Sequence, residues 1–157
     1  MGALHMDRRS GAALIFEAGA SVYAIPIEHV AETLRPLTIE PLAGTPNFVL
    51  GASILRGVPV PIVDVGWLAG GIGPSAAQRL VTIKLGERRA ALLVASVIGV
   101  RRLSSDTLAG LPALLQGAAD RGVAAIGRLD ADLLIVLNAT RIVPDDVWSA
   151  LKPKAGP

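Results

Sequence analysis

The sequence predicts an all-β protein built from two similar small barrels in tandem, on three observations. About ten short apolar stretches are separated by turn residues at intervals of roughly eight to twelve positions, the spacing of sandwiches and barrels. Several adjacent stretches are joined by two-residue turns of hairpin type. A faint internal repeat sets residues 48–68 against 122–142, an offset of 74. Val49 then meets Val123, the turns Arg56-Gly57 and Asp130-Ala131 coincide, and Ile62-Val63-Asp64 meets Val136-Leu137-Asn138. Strand, turn, strand, and then Asp or Asn as a cap is one supersecondary unit used twice.

The elements follow in order. Leu14 to Ala18 is apolar and β-prone, and Gly19-Ala20 turns it into Ser21–Ile25, which Pro26 ends because it has no N–H for a ladder. Ala31 to Ile39 is a further strand interrupted at Pro36, and residues 41–47 are loop chemistry throughout. Phe48 to Leu55 and Val58 to Val63 flank the Arg56-Gly57 turn. Pro59 and Pro61 point one way, so this strand is expected at an edge or paired on one side only. Gly66 to Ala77 is Gly-rich and marks the boundary between halves, placing the subdomains at about 12–70 and 78–142, with exchange of terminal strands allowed. Arg79–Leu85 and Arg88–Val94 form a hairpin across Gly86-Glu87, and Val100–Leu103 follows. A short helix is expected within Ser104–Arg121. Val123–Leu129 pairs with Leu133–Leu137, and Asp145–Leu151 begins a helical tail with Asp145 or Asp146 near its cap. Residues 1–6 read as a vector-derived leader, with Met6 the expected native start.

Composition narrows the function classes. No cysteine is present, which removes disulfides, thiolate metal sites and a cysteine nucleophile together. With 52% hydrophobic and 18% charged residues the chain is too apolar for disorder. Its longest near-apolar run, Ala90–Val100, is well short of the roughly 20 residues that span a bilayer. The net charge of +2 and an aromatic content of 3% supply neither the field nor the stacking platforms that nucleic acid needs.

Catalytic patterns mostly fail. His29 as a general base stands alone and reads as a surface turn residue. Residues 71–76 match a dinucleotide fingerprint, but Pro74 leaves no room for the helix that would hold a pyrophosphate. Asp130-x-Asp132 lacks the rest of a calcium loop. No catalytic, metal or cofactor site is expected. What stands out is Arg56 in a tight turn between apolar strands, either a solvated hairpin arginine or an interface anchor.

Phe16-Glu-Ala-Gly, Tyr23-Ala-Ile-Pro-Ile27, Val30-Ala-Glu32, Thr45-Pro46-x-Phe48-Val-x-Gly51 and Leu55-Arg56-Gly57-x-x-x-Pro61-Ile-Val-Asp64 resemble, in order and spacing, the first half of the CheW family of chemotaxis coupling proteins. Leu93-Val94-x-x-Val97-x-x-Val100, Ile126-Gly127 and Leu133–Leu137 match its second half more loosely. The resemblance implies one CheW-like domain over 12–147 made of two five-stranded SH3-like barrels. It implies a non-catalytic cytoplasmic adaptor, associated with membrane receptor arrays without inserting in the membrane. The partners implied are the regulatory domain of a CheA-type histidine kinase and the cytoplasmic tip of chemoreceptors. The implied partner-binding set is Arg56 with its turn neighbours Ile54, Leu55 and Gly57, and Val30 with Glu32. Three positions depart from the family: Ile54 replaces its usual Asn, Ala95 a carboxylate, and Asn138 an Asp. The first bears on the exact receptor contact, and the other two favour an accessory pathway, such as pilus motility, as the alternative setting.

Overall fold

The computed structural model describes residues 11–68, 78–103, 108–109, 122–130 and 132–151. The strands are β1 (Ala12–Ala18), β2 (Ser21–Pro26), β3 (Val30–Leu34), β4 (Val49–Leu55), β5 (Val58–Asp64), β6 (Arg79–Leu85), β7 (Arg88–Val94), β8 (Ser96–Arg102), β9 (Leu108–Ala109), β10 (Val123–Leu129) and β11 (Asp132–Leu137). Helical structure is limited to α1 (Val65–Leu68), α2 (Asp145–Leu151) and 3-10 turns at Ile27–His29 and Ala139–Arg141. No described helix is long and apolar enough to cross a membrane. The fingerprint at 71–76 and the expected helix within 104–121 lie outside the described residues, apart from β9.

Two sheets form, with orders β8-β1-β2-β11-β10-β9 and β3-β6-β7-β5-β4. The first has six strands rather than the expected five because the two-residue β9 adds to its edge. Neither sheet is one half of the sequence, which corrects the division at 12–70 and 78–142. Hairpin β1–β2 joins the second-half strands β8, β10 and β11, while β6–β7 joins the first-half strands β3, β4 and β5. The exchange thus takes whole hairpins, not terminal strands alone.

The 74-residue repeat is matched in detail. β4–β5 and β10–β11 pair in the same register at an offset of 74, and their bulges lie between Val49/Gly51 and Val123/Ala125. A second offset, 67 residues, relates β1–β2 to β6–β7 and β3 to β8. The bulge in β1–β8 pairing opposes Ile15 to Gly99, and that in β6–β3 opposes Thr82 to Glu32. β8 starts at Ser96, earlier than the sequence suggests, because this bulge accommodates the break at Ile98-Gly99.

Alternation along the strands explains the exchange. Ala13, Ile15, Val22, Ala24, Leu134 and Val136 fill the interior of the first sheet. Leu80, Ala91, Leu93, Val60 and Ile62 fill the second. The opposite faces of the same strands (Leu14, Phe16, Tyr23 and Ile25 against Val81, Ile83, Ala90 and Leu92) make a third core between the sheets. β1, β2, β6 and β7 are therefore buried on both faces, so they read as continuous apolar runs.

Pro59 and Pro61 fit this scheme. The hairpin closes at Leu55↔Val58, so Val58, Val60 and Ile62 carry the ladder to β4. The prolines face the other side, where pairing with β7 begins only at Ile62. β5 is internal to its sheet, yet paired on one side over residues 58–61.

At the end of β5, Asp64 caps α1: its Oδ1 accepts from Gly66 N at 3.0 Å and Trp67 N at 3.4 Å. The repeat places Asn138 there in the second copy, with Oδ1 accepting from Thr140 N at 3.1 Å. The residue that departs from the family pattern thus performs the same capping without a charge. Asp64 is only 3% exposed and its Oδ2 has no hydrogen-bond partner. Burial raises its carboxyl above the ordinary value, against the lowering effect of the Trp67 and Gly66 amides. The native state therefore holds this proton more tightly than the unfolded chain. The penalty is complete above the raised native value and fades as pH falls through it. Wild type should gain stability relative to Asp64→Asn as pH drops from about 7 to about 4. Urea unfolding at a series of pH values checks this, and a constant difference between the two proteins would contradict it.

Candidate partner-binding site

Arg56 and Gly57 have φ of 50° and 81°, the pair of left-handed conformations that a two-residue hairpin requires. Glycine takes this conformation freely and Asn tolerates it, but arginine does so only at a cost. The equivalent residue of the second copy, Asp130 (φ 56°), is of the tolerant kind. Arginine at the first turn position is thus chosen against local preference, which points to a use outside the turn.

Glu32 is placed by different means. The bulge opposite Thr82 passes over Ala31 and sets Glu32 against that residue. Thr82 is buried, and its hydroxyl binds the Glu32 backbone twice, accepting from N at 3.1 Å and donating to O at 3.3 Å. A polar residue inside the run Leu80-Val81-Thr82-Ile83 was the available signal for this anchor, and sequence reasoning missed it.

The two side chains meet as a fork: Arg56 Nη1 donates to Glu32 Oε2 at 2.5 Å and Nη2 to Oε1 at 3.0 Å. β3 and β4 are the opposite edges of the five-stranded sheet. The pair therefore spans the seam that would close the sheet into a barrel. The chain crossing from β3 to β4 helps fill that seam through the Glu40–Ala52 bridge and a Ser53 Oγ bond to Thr38 O at 2.7 Å. The Arg56 hydrogen bond holds the Glu32 carboxyl below its ordinary value, with the charges of Arg56 and Arg89 adding to the effect against some desolvation. The arginine side chain is 68% exposed and the glutamate 29%. Such a pair contributes little to stability by itself but presents a fixed, directional charge.

The other residues singled out from sequence divide. Ile54 points outward and is 63% exposed; Gly57 is exposed in the turn. Leu55 turns in and packs on the barrel interior, and Val30 packs against the core between the sheets. These two support the site rather than line its surface. Val58, 55% exposed beside the turn, was not singled out and belongs to the surface.

His29 sits half-buried in the turn before β3. Among the described residues no three His, Asp or Glu side chains are grouped to hold a metal.

Comparison with known proteins gives a consistent picture. The profile of the CheW-like domain matches residues 12–147. The chain is 27% identical over 135 residues to "Chemotaxis protein CheW" of Klebsiella aerogenes, covering 85% of this chain and 81% of that protein. It is 34% identical over 92 residues to "Protein FrzA" of Myxococcus xanthus, 56% of each. In structure it resembles the scaffolding protein TtCheW of Thermoanaerobacter tengcongensis, with TM-score 0.70 and 23% identity over 80% of this chain and 87% of that one. That likeness gives the fold, a pair of SH3-like barrels. The match of the domain profile along most of the sequence gives the family: the chain belongs to the CheW-like domain family.

Proposed function

We propose that this protein is a non-catalytic, cytoplasmic adaptor that couples the cytoplasmic tip of chemoreceptors to the regulatory domain of a CheA-type histidine kinase, and that it binds through the Arg56 end of the five-stranded sheet. The observation that carries the reading is Arg56 itself, held in a left-handed turn against its preference and fixed by Glu32 at the tip of a hairpin that exposes Ile54 on one face and Val58 on the other. A rigid guanidinium among aliphatic side chains has the composition of an interface anchor. The carboxylate of a partner sets register there while its apolar residues pack on Ile54 and Val58.

Titration calorimetry of the kinase regulatory domain from the same genome tests this. Arg56→Asn keeps a residue that tolerates the turn, so folding should be unaffected. Affinity should fall roughly tenfold, as for a modest hot spot. Unchanged affinity in the folded variant would remove Arg56 from the interface.

A second reading keeps the adaptor and assigns it to an accessory pathway such as pilus motility. Ile54 favours it, because the family's usual Asn before Leu-Arg-Gly is replaced by a large exposed aliphatic residue. Receptors and kinases of different pathways would then separate by their affinity for Ile54 against Ile54→Asn.

A further inference from the structure

The mouth of the five-stranded barrel carries a second guanidinium that the Arg56–Glu32 pair does not use. Hairpins β4–β5 and β6–β7 end on the same side, because β5 and β7 run parallel with Ile62 beside Ala91. That register sets Arg89 level with Val60. Along β7, Ala91 and Leu93 face the barrel interior, whereas Ala90, Leu92 and Val94 face the core between the sheets. By the same alternation Arg89 lies on the interior face at the mouth, and Arg88 lies on the other, where its guanidinium sits 5.0 Å from the centre of the Trp148 ring. Lys84 is the cross-strand partner of Arg89. It shares a face with Leu80 and Thr82, so two like charges stand side by side.

Val58 shares its face with Val60 and Ile62, and Leu55 opposite it packs inward. The rim therefore joins aliphatic Val58 and Leu55 to Arg89, Lys84 and the Arg56–Glu32 pair. Within this group three cations face one carboxylate. Arg89 reaches Glu32 by its charge, but its guanidinium makes no ion pair with that carboxylate, which Arg56 holds at both oxygens. The second copy lacks this arrangement. Val22, buried, replaces Arg89, Gly99 replaces Glu32, and Asp130 replaces Arg56. Among the described residues, the positions equivalent to Arg89 and Arg56 in the other barrel carry no cation.

We infer that Arg89, supported by Lys84, is a specificity residue that receives a carboxylate from an acidic protein segment whose neighbouring aliphatic side chain packs on Val58. This rests on the proposed reading of the Arg56 end as the partner-binding surface and adds the chemistry of the partner. A guanidinium with no ion-pair partner among the described residues, beside one already forked to a carboxylate, is a second site for the same kind of group. Flanking like charge discriminates against basic segments.

The experiment titrates the whole protein with two probes from the same genome, a chemoreceptor cytoplasmic-tip fragment and a CheA-type regulatory domain, at several salt concentrations. The variants are Arg89→Ala, Arg89→Glu and, as a reporter of the surface itself, Ile54→Asp. For the probe that binds, Arg89→Ala should weaken affinity about tenfold and flatten its salt dependence, and Arg89→Glu should weaken it further. Arg89 is exposed at a strand end, so both variants should melt as wild type does. Loss of binding in Ile54→Asp with wild-type affinity in both Arg89 variants overturns the acidic-segment inference and leaves the surface standing. Wild-type affinity in all three variants, or no binding of either probe by wild type, overturns the surface reading and this inference with it.

Discussion

Gly51→Ala is expected to lower stability by roughly 3–5 kcal/mol, the range of severe single substitutions. A Cβ at this position would lie 2.1 Å from the Glu40 carbonyl oxygen, 2.8 Å from its carbon and 2.9 Å from the Pro41 Cα. All three are backbone atoms, so no side chain can swing aside. The residue's φ of +146° adds strain for anything but glycine. Relief requires the chain at 40–41 to move off β4, which breaks both bonds of the bridge, Glu40 N to Ala52 O at 2.8 Å and Ala52 N to Glu40 O at 2.9 Å. The damage should extend to the site, because the segment leaving the seam carries the Thr38 carbonyl bound by Ser53, three residues before Arg56. Urea unfolding gives the stability change, and hydrogen exchange at Ala52 should show early loss of protection. A variant within about 0.5 kcal/mol of wild type would mean that the crossing segment has slack.

Phe16→Ala should cost about 3–5 kcal/mol and leave unfolding a single transition. Phe16 is fully buried and stacks on Tyr23 with ring centres 5.8 Å apart and planes 14° apart. It belongs to the core between the sheets, which also contains Val81, Ile83 and Leu92 of the other sheet. Removing the ring therefore weakens both sheets together. The test compares circular dichroism with tryptophan fluorescence, since Trp67 and Trp148 sit in α1 and α2. Two separated transitions would show that the sheets unfold independently.

The hairpins were legible because their turns are chemically marked: Gly19-Ala20, Arg56-Gly57 and Gly86-Glu87 all fall between apolar strands. The repeat at 74 was legible because both copies end in a capping Asp or Asn. Which hairpin joins which sheet was not. A strand buried on both faces has no alternation to report its orientation, and the segments Ala13–Phe16 and Leu80–Ile83 look alike for this reason. The 67-residue repeat was hidden by its substitutions, since Thr82 corresponds to Ile15 and Glu32 to Gly99. At the site, Arg56 and Glu32 could be picked out one by one. Their mutual pairing, the Thr82 anchor and the position of Arg89 depend on sheet register, which the linear sequence does not display.

Exchange of hairpins also sets a timetable for synthesis. Hairpin β1–β2 leaves the ribosome well before its neighbours β8, where Ala12 meets Arg102, and β11, where Val22 meets Leu134. At the ordinary elongation rate of about 5–20 residues per second, the nascent hairpin waits several seconds or longer with both apolar faces uncovered. Its last partner, β11, is made only after β3 to β10. Long-range pairing of this kind folds slowly, and such a hairpin is a natural client for a chaperone at the exit tunnel.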